Sequence, residues 1–159
     1  MSAAVHYNQS ARPDQIIKFF ENVLLIPEGD KVGQQFILDD IQKQWIVDVY
    51  TRDKFDQRIV RDVLLTMARK NGKTAFVAGL TAVHLVGPEV FPNGQMYSVG
   101  FDRGQAEVLY NLLMKMVEMS PALYTRLSVT PSSRRMANIK RGTSFRALSS
   151  EARSHHGKS

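Results

Sequence analysis

Val63-Leu64-Leu65-Thr66-Met67-Ala68-Arg69-Lys70-Asn71-Gly72-Lys73-Thr74 runs straight into a second apolar stretch, Ala75 to Val86, which stops at Gly87-Pro88. Val63 to Met67 is a short, mostly apolar run, and it predicts a buried strand. Ala75 to Val86 predicts a strongly apolar helix, closed by the Gly-Pro pair. Between them lies a basic loop ending in Gly-Lys-Thr. A helix N-terminus offers unpaired N–H groups and the positive end of its dipole to a phosphate. Gly72 lets the backbone approach the anion closely. Lys73 is placed to reach the β- and γ-phosphates as a flexible point charge, and the Thr74 hydroxyl to hold Mg²⁺. Arg69 and Lys70 add positive charge within the loop and, because the loop is short, read as further phosphate contacts, with Asn71 beside them, against the plainer reading of a solvated basic pair. The full phosphate-loop pattern has another Gly five positions before Gly72. That position is Met67, so the motif is a variant.

Outward from the loop, the order of elements repeats a strand-helix alternation. Gln95 to Phe101 predicts a strand, and Asp102 caps a helix to Met119 with Ala106, Leu109, Leu113, Met116 and Val117 facing inward. Ser120-Pro121 opens a short further helix. Strand, loop, helix, strand, helix is the pattern of a parallel sheet. Beyond Leu127, Met136 to Ile139 and Thr143 to Leu148 flank Lys140-Arg141-Gly142 and predict a hairpin. Upstream, residues 1–12 read as a loose arm. Asp14 to Leu25 reads as a helix in which Ile16, Phe19, Phe20, Val23 and Leu24 form one apolar face. Asp40 to Tyr50 reads as a second helix, N-capped by Asp39, with Ile41, Trp45 and Val49 on one stripe and Gln42 beside it. A carboxamide carries both a donor and an acceptor, which suits the edge of adenine.

The 159 residues contain no cysteine, which excludes disulfide scaffolds, thiolate metal sites and cysteine nucleophiles. No apolar run is long enough to span a membrane, and the N-terminus lacks the pattern of a secretion signal. Charge is uneven. Residues 126–159 carry eight Lys/Arg against one acid, so the formal excess of +7 there exceeds the +6 of the whole chain. Such asymmetry points to an anionic partner, most often nucleic acid, against the plainer reading of a solvated basic tail. The adjacent His155-His156 pair reads as a solvated tail rather than a metal site.

These residues, in this order, resemble the large subunit of phage DNA-packaging terminases. Ile26-Pro27-Glu28-Gly29 through Gly33-Gln34-Gln35-Phe36-Ile37-Leu38 resembles that family's opening segment. Leu38-Asp39-Asp40-Ile41-Gln42 resembles its adenine-recognising Gln motif. Met67 to Thr74 is very like its variant Walker A, which also lacks the first Gly, and Ser98 to Ala106 resembles its second strand and following helix start. The resemblance covers about residues 12–155. It implies a three-layer RecA-like P-loop NTPase core, α/β with a largely parallel sheet, here incomplete at the C-terminus. It divides the chain into an arm (1–12), a helical lead-in with the Gln motif (13–58) and a partial ATPase core with a basic end (59–159).

The resemblance further implies an ATP- and Mg²⁺-dependent motor that drives viral DNA into a capsid in the host cytoplasm. Its partners there are double-stranded DNA, a portal, a small terminase subunit and other copies of itself in a ring. Gln42 contacts adenine by position, Arg69, Lys70, Asn71, Gly72, Lys73 and Thr74 cradle phosphate, and Arg69 and Lys73 act on the γ-phosphate. After the loop there is no apolar run followed by Asp-Glu, so the water-orienting acid of a Walker B strand and the nuclease acids are missing. The chain therefore reads as the N-terminal part of a longer protein and is not expected to hydrolyse ATP efficiently alone. Arg103, Arg126, Arg134 and Arg135 are the candidates for an arginine acting across a subunit boundary. Two other readings compete: a nucleic-acid-binding module working through residues 126–159 without ATP turnover, and a small-molecule kinase, which would ordinarily keep the first Gly.

Overall fold

The structure, a computed structural model, describes residues 11–66 and 72–149. Three helices precede the first strand: α1 (Ala11–Val23), α2 (Asp40–Tyr50) and α3 (Lys73–Leu85). Then come β1 (Gln95–Gly100), α4 (Arg103–Met119), a one-turn α5 (Pro121–Tyr124), β2 (Leu127–Thr130), β3 (Arg135–Asn138) and β4 (Ser144–Ser149). The fold is mixed α/β. α1 starts at Ala11, so the last two residues of the expected arm are helical, and Pro13 sits in the first turn, where no intrahelical N–H is required.

The four strands form one sheet in the order β1-β4-β3-β2. β4 runs parallel to β1, with Gln95 opposite Ser144 and Gly100 opposite Ser149. β3 is antiparallel to β4, and β2 antiparallel to β3. The expected largely parallel sheet is thus corrected to a mixed one. The helix α4 gives β1 and β4 the crossover that a parallel pair needs, whereas β3 reaches β4 through a tight turn at Gly142, which allows only antiparallel pairing. The predicted hairpin is present. β2 was not foreseen, because Leu127-Ser128-Val129-Thr130 is four residues with only two apolar ones.

A second correction concerns Val63 to Met67. Residues 63–66 are irregular, Val63 and Leu64 are 47% and 92% exposed, and Met67 lies outside the described residues. An apolar run becomes a strand only by pairing its backbone groups with a neighbour, and none of the described strands pairs with it.

Helices cover one face of the sheet. Met96, Phe145, Ala147, Met136 and Leu127 point into the core beneath α4 and α3, while Tyr97, Val99 and Arg146 on the opposite face are exposed. The described residues therefore make two layers, not the three expected. Gly100 lets β1 approach α4 closely: a Cβ there would stand 2.5 Å from the Ala106 nitrogen. The same core continues among the helices. Ile16 and Phe20 of α1 and Leu24 just past its end are fully buried, with Phe36 edge-on to Phe20 and Phe76 beside it. Gly79 of α3 faces the Phe20 ring so tightly that an added Cβ would clash with it. On α2 the buried residues are Ile46 and Tyr50, while Ile41 is 79% exposed. Of the predicted stripe, Trp45 and Val49 pack against the core and Ile41 does not; the apolar face is wider than predicted, because Ile46 and Tyr50 form a second row four apart beside Trp45 and Val49.

Candidate functional site

α3 begins at Lys73, two residues before the expected Ala75, so Lys73 and Thr74 both lie in its first turn. Gly72 is the N-cap, at φ 68° and ψ 13°, a left-handed conformation that a residue with a Cβ adopts only at a cost. Its carbonyl accepts the first bond of the helix, from the Phe76 N–H at 2.9 Å. Among the described residues no side chain caps this end, and no acid occupies its first turn. The N-termini of α2 and α4 are treated differently. Asp39 accepts from the Gln42 N–H at 2.7 Å, and Asp102 accepts from the Gln105 N–H at 2.8 Å. The amides and dipole of α3 are thus left for an external anion, while those of α2 and α4 are answered within the chain. Lys73 is exposed, and the Thr74 hydroxyl has no hydrogen bond among the described residues. Among the described residues nothing lies within 4 Å of where a Gly72 Cβ would stand. Arg69, Lys70 and Asn71 lie outside the described residues, as do His155 and His156.

Gln42 has a structural task that its sequence position also announces. Its Oε1 accepts from the Asp39 N–H at 3.0 Å, completing a reciprocal capping box. Its Nε2 has no partner among the described residues. One turn further along each helix, Trp45 of α2 meets Phe76 of α3 edge to face at 5.4 Å. That contact brings the starts of the two helices, and so Gln42 and Lys73, to the same side of the molecule.

The far ends of these helices meet at a cluster that sequence reading missed. Gly87 and Glu89 fold back over the end of α3, their N–H groups donating to Ala82 and Val83 carbonyls. The Glu89 side chain is 1% exposed. Arg12 Nη1 donates to its Oε1 at 2.8 Å, and Arg52 Nη2 and Arg58 Nη2 donate to its Oε2 at 2.8 and 3.0 Å. Burial alone would raise this carboxyl's pKa; the hydrogen bonds from Arg12 and Arg58 and the charge of Arg52 outweigh it and hold the group below the usual range. Arg58 Nη2 also donates to His84 Nδ1 at 3.3 Å. A guanidinium only donates, so the imidazole proton belongs on Nε2, which donates to Tyr50 Oη at 2.9 Å. Burial, reinforced by Arg58, lowers the His84 pKa to about 4, so the ring is neutral near pH 7. Burial pushes Tyr50 up to about 12. In sequence, Glu89 looks like any charged residue after a Gly-Pro turn. Only the fold reveals its three partners.

The arginines proposed for an intersubunit role divide into two kinds. Arg103 and Arg134 share Glu107. Arg126 and Arg135 form no ion pair among the described residues. Arg126 borders a cleft of about 520 Å³ together with Lys140 and Arg141, over an apolar floor from Val86, Val90 and Ile139. Asn138 shapes the turn there: its Nδ2 donates to the Leu85 carbonyl at 3.0 Å, and its Oδ1 accepts from the Lys140 and Arg141 N–H groups. The cleft sits at the C-terminal end of α3, a helix length of about 20 Å from Lys73. Among the described residues no helix is long and apolar enough to cross a membrane, and no group of three His, Cys, Asp or Glu is gathered as metal ligands would be.

Comparison with known proteins agrees with this architecture. The chain is 38% identical over 147 residues to the terminase large subunit of Enterobacteria phage HK97, an alignment covering 92% of this chain and 28% of that protein. The crystal structure of the HK97 bacteriophage large terminase superimposes with a TM-score of 0.77 at 37% identity, over 93% of this chain and 29% of that one. The chain thus spans under a third of the length of these relatives. Residues 40–159 match the family model described as terminase large subunit, ATPase domain. With three quarters of its length inside that model, this chain belongs to the terminase large subunit family and carries sequence of its ATPase domain.

Proposed function

We propose that this chain is the ATP-binding part of a viral DNA-packaging motor, built on a RecA-like P-loop core. The observation that carries this reading is the start of α3, where a left-handed Gly72, an exposed Lys73 and an unengaged Thr74 hydroxyl stand at a helix N-terminus that no side chain among the described residues caps. These residues fit a nucleotide. The amides and Lys73 are donors only, and a polyphosphate is acceptor-rich and negatively charged. Thr74 supplies one oxygen for Mg²⁺, whose chemistry when bound is to neutralise charge between phosphates. Arg69, Lys70 and Asn71 complete the cradle, Arg69 and Lys73 act on the γ-phosphate, and Gln42 offers its carboxamide to adenine. By family membership, the motor works in the host cytoplasm as a ring, with a portal and a small terminase subunit. The test is nucleotide-dependent stability. Mg-ATP at 100 times its dissociation constant stabilises the wild type by ~2.7 kcal/mol. No such rise, or an equal rise in Lys73→Ala, contradicts the proposal.

Double-stranded DNA is the second partner, and the specific observation behind it is the cleft edged by Arg126, Lys140 and Arg141, cations with no ion pair among the described residues. Phosphate contacts of this kind release counterions, so binding weakens steeply with salt. A flat salt dependence of duplex binding excludes this surface as a backbone grip.

A further inference from the structure

We propose that Glu89 is a positioning residue for nucleotide recognition: it sets the placement of α2 against α3, and through it the spacing between Gln42 and the phosphate-binding start of α3. The inference rests on the nucleotide reading above and assigns a role to a buried cluster remote from that site.

The argument is one of connectivity. α2 carries Gln42 in its first turn and Tyr50 at its last residue. α3 carries Lys73 in its first turn and His84 near its end. Among the described residues, ring contacts join the two helices at two places. At the start, Trp45 meets Phe76. At the end, Tyr50 stacks near His84, with ring centroids 5.7 Å apart, and receives its hydrogen bond. Ile46 of α2 is fully buried and Lys43 pairs with Glu21 of α1 at 3.0 Å, so the body of α2 also rests on α1; the second contact, at the other end, sets how α2 lies against α3. Glu89 holds that second contact in place. It fixes Arg58, which donates to His84, and it fixes Arg52, the second residue past α2. Residues 52–58 fold into a tight turn, with the Asp53 N–H donating to the Gln57 carbonyl at 2.9 Å and Asp53 Oδ1 accepting from the Phe55 and Gln57 N–H groups. That turn brings Arg52 and Arg58 to the same carboxylate oxygen. Chain leaving Arg58 goes on to the phosphate loop, through α3, and returns at Glu89. The Arg58–Glu89 pair therefore closes a loop of chain that contains the whole phosphate-binding motif.

A carboxylate that were merely structural would alter stability and leave base discrimination alone. One that positions α2 has a sharper signature: loss of purine selectivity with phosphate affinity retained. The experiment measures dissociation constants of Mg-ATP, Mg-GTP and Mg-tripolyphosphate for wild type, Gln42→Ala, Glu89→Gln, Glu89→Asp and Arg58→Gln, with folding checked by circular dichroism. Wild type prefers ATP, and Gln42→Ala reduces the ATP-to-GTP ratio. Glu89→Gln reduces it by about three- to tenfold, the range for one misplaced hydrogen bond. Tripolyphosphate binding stays at the wild-type value, and Glu89→Asp recovers part of the ratio. A folded Glu89→Gln with unchanged selectivity, or with tripolyphosphate binding lost in proportion, overturns the proposal. Where Glu89→Gln does not fold, Arg58→Gln decides by the same two readings, since Glu89 there keeps Arg12 and Arg52. A wild type that binds ATP without preferring it, or a Gln42→Ala that keeps the preference, overturns the adenine role of Gln42 and this proposal with it. A wild type that binds no nucleotide at all is the distinct failure of the parent reading.

Discussion

Two sides of the C-terminal end of α3 treat basic side chains in opposite ways. On one side of its C-terminal end, Arg12, Arg52 and Arg58 converge on Glu89 and are spent inside the fold. On another, Arg126, Lys140 and Arg141 ring an open cleft and meet no acid among the described residues. Both groups contribute equally to a charge count. The difference teaches that net charge locates a function only after internal pairing has been subtracted. The first cluster is an element of construction that would look like a basic patch in sequence; the second is charge left over for a partner.

The sharpest way to break this contrast is Glu89→Ala. It strands three guanidiniums and should cost about 3 kcal/mol in denaturant unfolding, at the low end for a broken buried pair because Arg12 and Arg58 can turn outward to water. A loss under 1 kcal/mol would place the first cluster in the same class as the second.

Acid sharpens the comparison next. The His84 pKa is lowered to about 4 in the fold from an unfolded value of 6.5, so the unfolded chain binds the extra proton in that window. Its contribution is complete above pH 6.5 and is lost as pH falls towards 4, up to about 3 kcal/mol in all. Glu89, whose pKa is also depressed, adds its own loss in the same direction, beginning below the unfolded carboxylate range. His84→Gln should flatten the stability profile between pH 6.5 and 4.5. An unchanged slope would mean that His84 is not the titrating group.

At the opposite end of α3, Lys73→Ala should leave stability without ligand within about 0.5 kcal/mol, as for an exposed residue. It should also remove most of the ~2.7 kcal/mol that saturating Mg-ATP confers on the wild type. Arg141→Gln gives the smallest effect. Stability is unaffected, and the slope of log affinity for duplex DNA against log salt falls by ~0.9. A variant that loses stability instead would assign Arg141 to construction after all.

How much of this was legible in sequence depended on whether a residue's partner was local. Asp39 and Asp102 act on amides three residues away, so their caps could be read directly, as could the end of α3 before Gly87-Pro88. The Lys140-Arg141-Gly142 turn likewise announced the β3–β4 hairpin. Val63 to Thr66 failed because an apolar run has no strand character of its own; pairing confers it. The sheet's mixed direction was illegible for the same reason, since nothing in Leu127 to Thr130 states which neighbour it will join. Of the site, the Gly72-Lys73-Thr74 helix start was visible. Glu89 was not, because its meaning lies in Arg12, Arg52 and Arg58, up to 77 positions away.

The capping box at the start of α2 also makes a reporter. Gln42 Oε1 holds the Asp39 amide proton with one of its two lone pairs, and a purine that turns the carboxamide toward itself would weaken that bond. Binding of adenine would then loosen the first turn of α2 even as it tightens the site. Deuterium exchange at the Asp39 amide would quicken on binding ATP, while a base-free polyphosphate would leave its rate alone. One amide would thus distinguish recognition of the base from recognition of the phosphates, without any change to the protein.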